Sequence, residues 1–196
     1  GLAEDLGWLG DDVWYAHGVF VDAEEIAAMA ATGTGVAHCP NSNMRLASGI
    51  APVAGYLEAG VPVGLGVDGS ASNDHSNMIQ EVRQAFLLQR LRYGSGRVSV
   101  NDALRWATRG GARLLGRPNL GTLAVGAPAD IALFDLEELR FSGAGDPLAA
   151  LLTCGASRAV HVMVNGEWRV RDGALCDVDI GDLRQRHETA AARLRG

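Results

Sequence analysis

Three short apolar runs near the start of the chain each end in an ionisable residue, and each is followed by a helix-like stretch. Val13-Trp14-Tyr15-Ala16 runs into His17, Gly35-Val36-Ala37 into His38, and Val63-Gly64-Leu65-Gly66-Val67 into Asp68. Runs of this length bounded by turn residues read as buried strands. The intervening segments carry helix signals. Asp22 precedes Ala23-Glu24-Glu25, and a capping box formed with Glu25 predicts a helix from about residue 23. Residues 50–59 read as a second short helix before Val61-Pro62. Residues 77–93 read as the longest, with Ile79, Val82, Phe86 and Leu87 at helical spacing and Gly94 as its stop. Ser99 with Asp102 repeats the capping pattern ahead of Ala103–Thr108, where Leu104 and Trp106 are core candidates. Residues 1 to about 116 thus form three strand–loop–helix units followed by closing helices.

The pattern changes after Gly116-Arg117-Pro118. Residues 129–134 and 160–164 are strand candidates, and Asn165-Gly166 between Val162-Met163-Val164 and Trp168-Arg169-Val170 predicts a hairpin with a type I′ turn. Short strands with tight turns point to a β-sandwich over residues 117–196, in which His161 is structural. Residues 179–195 read as a terminal helix carrying a solvated His187.

Composition narrows the functional classes. A hydrophobic share of 47% with 26 glycines describes a globular α/β protein with ample core. No apolar stretch approaches the roughly 20 residues of a membrane span. A net charge of −6 argues against a nucleic-acid partner, which relies on clustered Lys and Arg. Cys39, Cys154 and Cys176 are odd in number and far apart, so a disulfide framework is not expected and a reducing cytoplasm fits. Cys-x-x-Cys spacing is absent, and with it the cytidine-deaminase type of zinc site.

The ends of the three runs carry the chemistry. A carboxylate at the end of a buried strand is costly unless something positive or protic faces it, and in a (β/α) barrel that end is where catalytic groups collect. A lone Asp68 would more simply cap the following turn. His17, His38 and Asp68 recurring at the same point of three successive units outweigh that reading. His38, followed by Cys39-Pro40, either lines a pocket or holds its loop. Asn41, Ser42, Asn43 and Arg45 follow on the same loop, where they either read the polar edge of a ligand or simply form the turn. Ser70, Ser72 and Asn73 are supports for Asp68, and His75 is an exposed loop histidine or a gate beside it.

An Ala-His-Gly strand end, then His38-Cys39-Pro40-Asn41-Ser42-Asn43-Met44-Arg45-Leu46-Ala47-Ser48-Gly49, then Gly66-Val67-Asp68-Gly69-Ser70-Ala71-Ser72-Asn73-Asp74 resembles the amidohydrolase superfamily. The likeness continues through Ala103–Thr108, Leu120–Asp130 and Val162–Gly166. Within the superfamily it is similar to the metal-dependent aminohydrolase branch of 8-oxoguanine deaminases, triazine hydrolases and adenosine-type deaminases. Ser70–Asp74, with the Gln80–Ala85 helix, looks most like the first of these.

The resemblance implies the C-terminal portion of a TIM-like (β/α)8 metallo-hydrolase barrel with part of an accessory β-sandwich. It implies that Asp68 binds one divalent metal, zinc first and iron(II) second, while its other oxygen holds the attacking water. His17 then hydrogen-bonds that water or the developing oxyanion, and His38, Asn41, Asn43 and Arg45 contact the substrate. The family's His-x-His pair and His-x-x-Glu are absent from the chain, so the remaining ligands and proton shuttle are expected upstream, in an N-terminal portion of the same enzyme. The chain alone is expected to be silent. The implied reaction is hydrolytic deamination of an aminated heterocycle, with 8-oxoguanine giving urate and ammonia as the leading substrate and an s-triazine or nucleoside as the alternative. A homo-oligomer is a family expectation. A non-catalytic barrel scaffold is the reading from another class.

Overall fold

A computed structural model describes residues 1–155 and 158–196. In chain order its elements are helix α1 (Leu2–Asp5), strand β1 (Trp14–Ala16), α2 (Ala23–Thr32), β2 (Gly35–His38), α3 (Pro40–Arg45), α4 (Val53–Ala59), β3 (Val63–Leu65), α5 (Met78–Tyr93) and α6 (Val100–Arg105). A π-helical turn (Trp106–Gly110), α7 (Gly111–Leu114), β4 (Ile131–Leu133), a 3-10 turn (Leu139–Phe141), α8 (Pro147–Thr153), β5 (His161–Val164), β6 (Glu167–Arg171), β7 (Ala174–Leu175) and α9 (Ile180–Arg195) follow.

The expected units are present. β1, β2 and β3 form a parallel sheet in that order, with Ala16 opposite Ala37 and Ala37 opposite Gly64. Parallel neighbours need a crossover between them, and α2 and the α3–α4 pair supply it. Asp22 caps α2 as the capping box requires, accepting from the Glu24 and Glu25 amides while Glu25 reaches back to the Asp22 amide. Ser99 and Asp102 do the same for α6. Asn77 is the N-cap of α5 and Gly94 its C-cap. The segment at 40–45, expected as a loop, is a helical turn and a half. Pro40 occupies its first position, where a missing N–H has no cost.

β2 is buried along its whole length, as the central strand of three should be. One face of the sheet is kept small by Ala37, Gly35 and Gly64. A Cβ at Gly64 would lie 2.7 Å from Leu114 Cδ1 and 3.1 Å from the Gly111 backbone, so these glycines let α7 seat directly against the strands. Trp106 is buried, as expected of a core residue, and Leu104 is half-buried. On α5 the buried stripe is Glu81, Val82, Ala85, Phe86 and Gln89, whereas Leu87 is exposed.

The chain divides into two compact units. The first is Gly1–Ala127 with Leu136–Ser157, and the second is Pro128–Asp135 with Arg158–Gly196. A boundary drawn on composition at 116/117 differs from this division in two places. Residues 117–127 stay with the first unit, and 136–157 return to it because α8 packs on α5 and α6. Within the second unit β4, β5, β6 and β7 form one antiparallel sheet in that order. The hairpin turn is as expected, with Asn165 and Gly166 at φ 49° and 82° and Val164 opposite Glu167. Among the described residues this sheet is a single layer, without a second sheet to complete a sandwich. His161 packs edge-on against Trp168 at 5.7 Å, and α9 carries an exposed His187.

Candidate active site

His17 and Asp68 leave the sheet in the same unusual way. Both adopt left-handed backbone conformations, at φ 68° and 61°, and each is followed by a glycine. For residues other than glycine this region carries strain of order 1–3 kcal/mol and clusters at functional sites. The sheet ladder runs up to both turns, since the His17 amide donates to Ala37 O and the Gly66 amide to His38 O, each at 2.9 Å. The two side chains come from strands separated by β2, yet His17 Nε2 lies 3.7 Å from Asp68 Oδ2.

Three consecutive residues of α3 hold this pair. Asn41 ties the helix to Glu81 of α5, its amide donating to Oε2 at 3.2 Å and its side-chain Nδ2 to Oε1 at 2.7 Å. Ser42 Oγ donates to Asp68 Oδ2 at 2.6 Å. Asn43 Oδ1 lies 2.8 Å from His17 Nδ1. From the other side, Ser72 Oγ also donates to Asp68 Oδ2 at 2.6 Å. Asn73 Nδ2 donates both to Val67 O and to Glu81 Oε1, at 2.7 and 2.6 Å. A buried carboxylate on one helix thereby fixes both loops that frame the site.

The electrostatics follow from these contacts. The Ser42 and Ser72 hydroxyls, with the Gly69 amide, hold the Asp68 carboxyl down to about 2. It is therefore an anion at neutral pH, with its side chain about 30% exposed at the sheet end. Burial pushes the Glu81 carboxyl up, against the Asn41 and Asn73 donors that favour its charged form. His38 is fully buried, and neither ring nitrogen has a hydrogen-bond partner among the described residues. Burial, reinforced by His17, lowers its pKa to about 4.

The residues expected at the site therefore separate. His17 and Asp68 come together. Asn43 joins them but is 1% exposed, and Asn41 is committed to Glu81. His38 lies on the same sheet face as Val36, away from Ala37 and Cys39. Arg45 is half-exposed and paired with Asp74. His75 is exposed and accepts from the Asn77 amide at 3.1 Å. Of the expected supports, Ser72 and Asn73 act as such, and Ser70 is exposed. Glu81 enters the site from within α5, with no motif of its own in the sequence. The signal for it is a carboxylate sharing the spacing of Ala85 and Gln89 on the buried stripe of α5.

A cavity of about 280 Å³ lies against the small-residue face of the sheet, lined by Trp14, Ala16, Ala37, Cys39, Leu65 and Asp68 among others. A larger cleft of about 460 Å³ beside Tyr15, Phe20 and Met29 holds none of the site residues. The ionised carboxylate of Asp68 suits a divalent cation, and the His17 imidazole beside it is placed to face a water on that ion. Among the described residues no third His, Cys, Asp or Glu joins them to complete a metal site.

Comparison with known proteins gives this geometry a context. The model of the amidohydrolase family matches residues 2–169. An 8-oxoguanine deaminase of Pseudomonas aeruginosa is 60% identical over 97% of this chain and 42% of its own length. An isoxanthopterin deaminase from an unknown prokaryotic organism is 45% identical over 90% of this chain and 40% of its own. The zinc-bound structure of an atrazine chlorohydrolase from Arthrobacter aurescens superposes with a TM-score of 0.90 at 38% identity, over 95% of this chain and 42% of that one. The chain spans about two-fifths of the length of each of these relatives, and its three parallel βα units are consistent with part of an α/β barrel.

Proposed function

This chain belongs to the amidohydrolase family, and on that premise we propose that it supplies the strand-end carboxylate and imidazole of a metal-dependent heterocycle deaminase. The observation that carries the reading is the meeting of His17 and Asp68, from two non-adjacent strands, at one end of the sheet. Asp68 would hold a divalent metal, zinc before iron(II). Such a metal lowers the pKa of water from 15.7 toward about 7 and so provides a nucleophile at neutral pH. His17 orients the attacking water. Water oxygen adds to the amidine-like ring carbon and one proton passes to a ring nitrogen. The exocyclic C–N bond then breaks with the other proton, leaving a carbonyl and ammonia. The remaining metal ligands and the acid that protonates the ring belong to the portion of the relatives that this chain does not match.

The substrate we favour is 8-oxoguanine, with urate and ammonia as products. The 60% identity to a protein of that name, against 45% for the isoxanthopterin deaminase, supports it. An s-triazine is the second reading, favoured by the close superposition on an atrazine chlorohydrolase. The reaction is assigned to a reducing cytoplasm, in keeping with three free cysteines and no helix, among the described residues, long and apolar enough to cross a membrane.

The test is product release by the complete enzyme, this chain joined to its upstream portion, on 8-oxoguanine, isoxanthopterin, an aminotriazine and adenosine. The proposal expects kcat/KM for 8-oxoguanine to exceed the others by at least about tenfold, a difference of 1.4 kcal/mol in transition-state binding. A triazine ranked first would transfer the assignment to the second reading.

A further inference from the structure

We propose that Asn43 is a positioning residue that selects the tautomer of His17, so that His17 acts as a hydrogen-bond acceptor for the attacking water and not as a donor to an oxyanion. The proposal rests on the deaminase reading for its meaning in catalysis, but its geometry stands apart from it.

Asn43 Oδ1 is 2.8 Å from His17 Nδ1. A carbonyl oxygen has no hydrogen to give, so the hydrogen in this bond resides on Nδ1. In the neutral imidazole the lone pair is then on Nε2, the nitrogen that faces Asp68 Oδ2 at 3.7 Å. That oxygen also accepts from Ser42 and Ser72. In that form of the imidazole, Nε2 and Oδ2 are two acceptors 3.7 Å apart, a pair that one shared donor satisfies. A single water about 2.8 Å from each can give one hydrogen to Nε2 and the other to the carboxylate, which points its oxygen lone pairs away from both. An electrophilic ring carbon on that side meets a correctly presented nucleophile. With the opposite tautomer, Nε2–H would instead donate to Asp68 and close the gap.

Burial argues that Asn43 does this and nothing else. At 1% exposure its amide cannot reach a substrate edge, and Nδ2 has no partner among the described residues. It follows Ser42, which bonds Asp68, on the helix that Asn41 anchors to Glu81. Its oxygen is thus aimed by the same short helix that aims the serine. Outer partners that fix an imidazole's orientation typically change activity by about 10–100-fold when removed.

The imidazole nitrogens of the 15N-labelled 196-residue chain, assigned by loss of one set of signals in His17→Gln, read the tautomer directly. The wild-type chain should show His17 protonated at Nδ1 at neutral pH. Asn43→Ala should move the population toward Nε2–H. In the complete enzyme, Asn43→Ala should lower kcat by about 10–100-fold with KM within about twofold. A wild-type His17 carrying its proton on Nε2 overturns the proposal without any variant, as does an unchanged tautomer in Asn43→Ala. A raised KM with intact kcat would return Asn43 to substrate contact. An enzyme inert on every heterocycle removes the deaminase reading, while the imidazole spectra still decide the role of Asn43.

Discussion

Asp68 and His38 both end strands, and their surroundings set them to opposite tasks. Two hydroxyl donors keep Asp68 charged down to about pH 2, whereas burial without a partner keeps His38 neutral down to about pH 4. The second value has a consequence for stability. In the unfolded chain His38 binds a proton near pH 6.5, so between 6.5 and 4 the unfolded state holds more protons than the folded one. Stability should therefore be flat above about pH 7 and fall on acidification, by up to roughly 3 kcal/mol from this residue. Urea unfolding at pH 7.5 and pH 5 measures it. The loss should be smaller in His38→Leu, and equal losses in the two proteins would contradict the assignment. Alternation along Gly35-Val36-Ala37-His38 makes the placement legible, since a period of two sets His38 beside Val36 and opposite Ala37. Alternation alone would keep His17 on that same face, since Tyr15 pairs with Val36, and the left-handed turns at His17 and Asp68 are the departure from strand geometry that a period of two does not show.

At the scale of elements, the site is an arrangement of α3 and α5. Glu81 accepts three hydrogen bonds from Asn41 and Asn73 and so ties the loops after β2 and β3 to one helix. Glu81→Gln would set an amide N–H₂ against one of these donors. It should destabilise the chain by about 1–3 kcal/mol, while Glu58→Gln, on the surface, should stay within about 0.5 kcal/mol. Chemical denaturation separates the two. Similar small changes at both positions would show that the Glu81 network does not hold the loops. Helices with side-chain caps were legible in the sequence, as Asp22 with Glu25 and Ser99 with Asp102 illustrate. α3 was not, because Pro-Asn-Ser-Asn has the composition of a turn and its N-cap, Cys39, makes no side-chain bond. Its helical form depends on Glu81, forty residues away from Asn41. α8 is the exception among the capped helices, read as part of the β-region although Asp146-Pro147 carries a local signal, with Asp146 accepting from the Leu148 and Ala149 amides.

For the whole molecule, the parallel sheet of the first unit ends in open strands. β1 and β3 each pair only with β2 among the described residues, and Trp14 is 44% exposed on the face with Ala16 and Ala37. That geometry fits a sector of a closed barrel, in line with a chain that spans about two-fifths of its relatives. Among the described residues the sector contains the carboxylate but no group of three His, Cys, Asp or Glu that could hold a metal. The most direct measurement is therefore made on the complete enzyme, comparing wild type with Asp68→Ala for metal content by elemental analysis and for ammonia release from 8-oxoguanine. We predict about one divalent metal per wild-type chain, and a loss of at least about 10³-fold in kcat for Asp68→Ala with the fold retained, comparable to removing a principal group that stabilises the transition state. Turnover and metal content unchanged in Asp68→Ala would contradict the account.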